Sequence, residues 1–220
     1  MLPRLFEPEV MDSAEEARDY DSMDHAQVNR AFVADLIAFW KPTGRVLDLG
    51  TGTALIPIEL CRQIADVNVL AIDAAHHMIS AAKANVARSG FSGRITVQHS
   101  DAKRLPFGDG SFEGVMSNSI VHHIPEPLAV LKEIARVVKP GGAIFIRDLL
   151  RPADDATVKH LVKTYAGDAN THQRKMFEDS LRAALTLDEI RELVRKIGFD
   201  QGDVRQNSDR HWTWTATKTK

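Results

Sequence analysis

The chain has 220 residues, 44% of them hydrophobic and 26% charged, which suits one α/β domain with a sizeable core and room for a lid or terminal extension. A formal net charge of −2 excludes the electrostatic footprint of a nucleic-acid or anionic-membrane binder, and Lys218 and Lys220 make only a short basic end. The single cysteine, Cys61, excludes an internal disulfide framework and chemistry needing several thiolates.

No apolar run reaches the roughly 18 residues of a membrane span, and the opening MLPRLFEPEV lacks a signal-peptide core. A soluble cytoplasmic protein, monomeric or homodimeric, is expected.

Residues 1–22 are polar and acidic with weak periodicity and read as a loosely packed arm. From Asp24 onward, AQVNRAFVADLIAFW spaces Val28, Phe32, Leu36 and Trp40 four apart, the stripe of an amphipathic helix. Lys41-Pro42-Thr43-Gly44 ends it. RVLDLG reads as a buried strand. ALIPIELCRQI follows as a helix, with Pro57 tolerated near its start and Cys61 as a small buried hydrophobe. NVLAID and AHHMISAAKANVARSG repeat the pattern, closed by Gly90, and RITVQHS and FEGVMSNS supply two more strands. EPLAVLKEIARVVK is a helix with Leu128, Leu131, Ile134 and Val138 on one face, and Pro140-Gly141-Gly142 turns into the strand AIFIRDLL. Strands alternating with helices imply crossover connections and a parallel sheet.

After Pro152 the rhythm changes. Residues 153–182 hold two polar helical patterns joined around Gly167 and are expected to form a helical lid. Thr186-Leu187-Asp188-Glu189 is a capping box opening the next helix, which Gly198 closes. DVRQNSDRHWTWTATK reads as a hairpin with Trp212 and Trp214 on one face and Asn207-Ser208-Asp209 in the turn. The expected organisation is a single domain over 1–220: arm and helix 1–40, ligand-binding core 44–150, lid 153–182, last helix and hairpin 186–220.

The strongest local signal is Asp48-Leu49-Gly50-Thr51-Gly52-Thr53-Ala54, between a strand and a helix. Gly50 and Gly52 allow a sharp turn and close approach to a ligand, and the helix start offers free N–H groups. A dinucleotide site wants a third glycine and a pyrophosphate there. Asp48 would repel pyrophosphate but suits a ligand carrying an ammonium. Asp73 ends the second strand, about 20 residues on, where an acid accepts hydrogen bonds from a ribose; it also suits a helix N-cap. Ser100-Asp101-Ala102 ends the third strand, where an acid can accept from an adenine amino group. Three acids at consecutive strand ends face one crevice.

VLDLGTGTA, VLAIDAAHHM, SDAKRLPFGDGSFEGVMSNSIVHHI and VVKPGGAIFIRDLLRP resemble the successive motifs of class I S-adenosylmethionine-dependent methyltransferases, most closely the small-molecule branch that includes the ubiquinone/menaquinone biosynthesis enzymes. The resemblance covers residues 20–150 well and the hairpin more loosely. It implies a Rossmann-like seven-stranded sheet of order 3-2-1-4-5-7-6 with strand 7 antiparallel, S-adenosylmethionine as cofactor, and a small-molecule methyl acceptor. By this likeness Gly50, Thr51 and Gly52 pass under the methionine part and Asp73 takes the ribose. Ala74 and Met78 pack near the adenine, Asp101 and Ala102 hold its edge, and Asn118 approaches the amino group. Tyr20 sits where related enzymes close an N-terminal aromatic over the cofactor. Ala54 departs from the commonest third glycine.

His122 and His123 follow the fourth strand at the rim where the methyl group should point, so an imidazole there is a candidate base or orienting group. The alternative is that one of the pair faces the sheet or caps the helix beginning near Pro125. Arg147 ends the fifth strand and is a candidate for an anionic or carbonyl group of the acceptor; a salt bridge to Asp148 or to a lid residue is its structural alternative. Tyr165 and His172 in the lid, and Arg210 and His211 beside the turn, complete the candidate acceptor residues. His76 and His77 belong to the cofactor surroundings or the surface. Both histidine pairs are adjacent residues, which should point apart, so no metal site is expected. A nicotinamide-dependent oxidoreductase, a non-catalytic cofactor-binding protein and an RNA-modifying enzyme are the competing readings.

Overall fold

The computed structural model describes residues 2–8, 10, 12–23 and 26–219. Its centre is one sheet of seven strands: β1 (Gly44–Leu49), β2 (Val67–Asp73), β3 (Ile95–His99), β4 (Phe112–Asn118), β5 (Val138–Leu149), β6 (Val204–Gln206) and β7 (His211–Thr217). The strand order is β3-β2-β1-β4-β5-β7-β6. β1 to β5 run parallel, and β7 is antiparallel to both neighbours. This is the topology that the resemblance implies.

Alternation along the buried strands sends successive side chains to opposite faces. Leu47, Leu49, Val115 and Ile144 join Trp212 and Trp214 on one face, covered by α5 (Leu128–Val137) and α8 (Leu187–Lys196). Val46, Val69, Met116 and Phe145 face the other way, beneath α2 (Ala26–Phe39), α3 (Leu55–Gln63) and α4 (His76–Ser89). Each large aliphatic or aromatic side chain so buried contributes about 1.5–3 kcal/mol. Cys61 is a buried member of this second core. β5 begins at Val138, so Pro140-Gly141-Gly142 lie within its span, where the register with β4 shifts.

Two expectations about the first forty residues are corrected. Val28 is exposed, while Phe32, Val33 and Leu36 are buried. A spacing of four drifts about 40° per step on a helix of 3.6 residues per turn, so the stripe cannot keep both ends on the core.

The arm is also not loose. Ser13 and Glu16 form a capping box that starts α1 (Ala14–Ser22). Arg4 ties the chain upstream of α1 to four distant carbonyls, donating to Ala183 at 2.7 Å, Ile124 at 2.9 Å, His122 at 3.0 Å and Pro125 at 3.2 Å. These partners lie more than a hundred residues away, and no local periodicity reports them. Asp24 and Lys220 lie outside the described residues.

Residues 153–182 form the helix pair α6 (Asp155–Ala166) and α7 (Thr171–Ala183). Val158, Leu161 and Leu181 pack on Leu149 in a small core of their own. Among the described residues no helix is long and apolar enough to cross a membrane.

Candidate cofactor and active site

At the carboxyl ends of the parallel strands the chain leaves an open cleft, the place where α/β sheets of this kind hold their ligands. Its floor is the loop after β1. Gly50 and Gly52 take φ of +68° and +54°, conformations that side-chain-bearing residues rarely adopt. A Cβ on Gly50 would lie 1.9 Å from Ile120 Cγ2, and one on Gly52 would lie 3.4 Å from Tyr20 Cε1. Ala54 keeps the left-handed conformation of the third-glycine position, with φ of +62°. That costs an alanine about 1–2 kcal/mol. Ser119, after β4, is the other described non-glycine residue at positive φ, at +61°, and it also lines the cleft. Such strain clusters where structure positions a ligand.

The next wall comes from β2. Asp73 Oδ2 accepts from the Gly52 N–H at 2.8 Å, and Oδ1 accepts from the Ala75 N–H at 2.9 Å. The carboxylate is therefore fixed against the glycine loop before any ligand arrives. Asp73 is not the N-cap of α4, which is Ala75; it acts from two residues further back. Asp101, after β3, is exposed at the mouth, where Oδ1 accepts from the Lys103 N–H at 2.9 Å.

The structure gathers most of the residues expected at a cofactor. Tyr20, Gly50, Gly52, Asp73, Ala74, Met78, Asp101, Ala102 and Asn118 all line the cleft. Asp48 and Thr51 line a smaller adjoining cavity that shares Tyr20, Gly50 and Asn118 with it. Asp48 is 3% exposed, and burial, with the nearby charge of Asp73, pushes its carboxyl up to about 7. Burial also pushes the Tyr20 hydroxyl up to about 12, so the phenol stays protonated. Sequence reasoning missed Val10, Lys103, Ser119, Ile120 and Ile124 on the walls.

The two candidate catalytic histidines occupy a 3₁₀ turn, Val121–His123, and part company there. His123 lines the cleft. His122 does not: it is 3% exposed, and its Nδ1–H donates to Asp148 Oδ1 at 2.5 Å. Burial opposes the charged form of His122, but Asp148 and Glu7 together hold its imidazole above the usual value. Burial and the neighbouring His122 push His123 down to about 3. At neutral pH His123 keeps its lone pair but is a weak base.

None of the five candidate acceptor residues lines the cleft. Arg147 points to the α2 face, opposite Asp148, as strand alternation requires. Its Nη2 pairs with Asp35 Oδ2 at 2.7 Å, and its Nε donates to Thr213 Oγ1 at 3.0 Å. The Tyr165 hydroxyl donates to Asp209 Oδ2 at 2.7 Å, and Arg210 stacks over the Tyr165 ring at 3.3 Å, so this group docks α6 on the hairpin. His172 Nδ1 lies 2.8 Å from Asp19 Oδ2, and His211 Nδ1 lies 3.0 Å from Ser208 Oγ. His76 and His77 are exposed outside the cleft, with His76 stacked on His99 at 4.0 Å.

A 3-2-1-4-5-7-6 sheet with a glycine loop after β1 and acids at the ends of β1, β2 and beyond β3 defines the class I S-adenosylmethionine-dependent methyltransferase fold. Residues 47–146 match the family model described as a methyltransferase domain. Over 127 residues, 57% of this chain, it is 33% identical to a ubiquinone/menaquinone biosynthesis C-methyltransferase of Geotalea daltonii, spanning 54% of that protein. Over 178 residues, 79% of this chain, it is 28% identical to the 27-O-demethylrifamycin SV methyltransferase of Amycolatopsis mediterranei, spanning 61% of it. The chain thus spans little more than half the length of these curated relatives. A crystal structure of a SAM-dependent methyltransferase from Aquifex aeolicus superposes with a TM-score of 0.68 at 19% identity, covering 92% of this chain and 97% of its own. Residues 47–146 thus resemble a methyltransferase domain on a class I S-adenosylmethionine-dependent methyltransferase fold, with likeness to the ubiquinone/menaquinone biosynthesis branch.

Proposed function

We propose that the protein transfers the sulfonium methyl group of S-adenosylmethionine to a small-molecule acceptor. The observation that carries this reading is the convergence of Tyr20, the Gly50–Gly52 loop, Asp73, Asp101 and Asn118 on one cleft from five separate chain segments. The residues fit the cofactor. Gly50 and Gly52 hold the left-handed loop that its methionine part would cross, with Ile120 and Tyr20 closed against them, Asp73 presents a fixed carboxylate to a ribose diol, and Met78 and Ala102 offer apolar contact to an adenine.

The bound cofactor supplies an electrophilic methyl group on a leaving thioether that departs neutral. The chain's own task is placement: positioning can supply roughly 7–11 kcal/mol of the barrier when reacting atoms are held about 3–3.5 Å apart. Tyr20, seated over Gly52, excludes water from the glycine loop. Asp48, adjoining that loop, receives the cofactor's ammonium in its ionised form. His123 is the one of its pair on the cleft wall, and its weak basicity suits orienting an acceptor rather than deprotonating it. His122 positions the turn that carries it.

Turnover with methyl-labelled S-adenosylmethionine and a panel of phenols, aliphatic hydroxyls, amines and thiols tests the proposal. Label is expected to move to one acceptor class, with S-adenosylhomocysteine formed in equal amount. Cofactor binding without transfer to any class would leave a non-catalytic binder instead.

A further inference from the structure

We infer that Glu7, His122 and His123 form a binding site for a divalent transition-metal ion behind the cleft wall, with His123 the member that lines the cleft. One ligand atom from each of the three lies within 4.8 Å of the others. Glu7 Oε1 is 3.4 Å from His122 Nε2 and 3.1 Å from His123 Nδ1. Tetrahedral metal–ligand bonds of about 2.0–2.1 Å place neighbouring ligand atoms roughly 3.3–3.4 Å apart, so these two separations are those of a coordination sphere. The adjacent histidines were expected to diverge. In the 3₁₀ turn their rings instead lie 4.2 Å apart, tilted by 34°, and both present a nitrogen to the same oxygen.

The hydrogen bonding around the cluster leaves its inner atoms without a partner of their own. His122 Nδ1–H is committed to Asp148 Oδ1, which leaves Nε2 facing Glu7 Oε1 at 3.4 Å. Glu7 Oε2 accepts from Ser180 Oγ at 3.3 Å, leaving Oε1 for the cluster. Glu7 Oε1 and His123 Nδ1 are both buried and make no hydrogen bond. Leaving a buried polar atom without a partner is unfavourable, and a cation between the three atoms satisfies all of them.

Asp148 behind His122, and Ser180 behind Glu7, are the supporting contacts that metal-binding imidazoles and carboxylates normally have. Two carboxylates, Glu7 and Asp148, offset the positive charge of Arg4, whose donors are spent on backbone carbonyls. Two imidazoles and a carboxylate select zinc, iron or a similar ion over magnesium or calcium. Three protein ligands leave a fourth position open. This inference is independent of methyl transfer.

Titration of chelator-treated protein with Zn²⁺, followed by calorimetry and thermal melting, tests it, with Co²⁺ as a spectroscopic probe of the ligand field. One Zn²⁺ per chain is expected, raising the melting temperature, and Co²⁺ is expected to give a low-symmetry visible spectrum. Glu7→Gln and His123→Ala should each abolish the stoichiometric binding. Asp148→Asn should weaken it about 10–100-fold, and His160→Ala, at an exposed position, should change nothing. Glu7 stands outside the sheet and helices, so Glu7→Gln keeps the test valid if Asp148→Asn fails to fold. Binding unchanged in folded Glu7→Gln and His123→Ala would mean adventitious surface sites only. That result, or no stoichiometric binding, overturns the inference.

Discussion

Asp73→Ala should lower affinity for S-adenosylhomocysteine on the order of 100-fold. Hydrogen bonds to a charged group contribute about 1.5–3 kcal/mol each, and a ribose diol offers two. Two such bonds at the lower value come to about 3 kcal/mol, and 1.4 kcal/mol is a factor of ten. The substitution also strips acceptors from the Gly52 and Ala75 N–H groups, so the glycine loop loses the contact that fixes it before binding. Asp73→Asn retains one acceptor oxygen and should fall between the two. Calorimetric titration of the three proteins checks the order. An Asp73→Ala protein that binds within a few-fold of the parent would remove Asp73 from the site.

Gly50→Ala should be the most damaging single methyl in the molecule. The new Cβ would sit 1.9 Å from Ile120 Cγ2, on a backbone at φ +68°. The left-handed conformation costs an alanine about 1–2 kcal/mol, and overpacking of this kind a further 1–3 kcal/mol. Loss of roughly 2–5 kcal/mol of stability is therefore expected, together with loss of detectable S-adenosylhomocysteine binding. The double change Gly50→Ala with Ile120→Ala separates the causes. It relieves the clash but not the strained backbone, so stability should recover in part while binding stays lost. Denaturant unfolding of both variants measures this, and full rescue of binding would show that the ligand does not approach Gly50 closely.

Much of this was legible in the residues because parallel strands announce themselves as short apolar runs, and their carboxyl ends hold the ligand. Asp48, Asp73 and Asp101 could be placed by counting to the end of each run. The strand order came from the motif resemblance, since periodicity alone orders nothing. The acceptor side was less legible for a directional reason. Arg147 is at the right strand end, but alternation turns it toward Asp35 while Asp148 takes the opposite face. Tyr165, His172 and Arg210 are polar residues whose partners lie on other segments, at Asp209, Asp19 and Tyr165, while His211 turns back to Ser208 within its own turn. Arg4 and Glu7 sit in a stretch without periodicity, and their contacts with His122 close loops of more than a hundred residues. A rule that neighbouring side chains diverge failed at His122 and His123 because it holds for strands and not for a 3₁₀ turn.

The central claim is that the cleft is built for an adenosine ligand carrying an ammonium and no pyrophosphate. Calorimetry with S-adenosylhomocysteine and with NAD, at pH 5.5 and pH 7.5, tests it most directly. Asp48 is raised to about 7 in the free protein, so at pH 5.5 it is largely protonated, and a bound ammonium must ionise it. Binding should therefore release a proton and weaken at the lower pH, with affinity levelling off above about pH 7 as Asp48 ionises unaided. NAD should give no heat at either pH. Tight binding of NAD with none of S-adenosylhomocysteine would contradict the account.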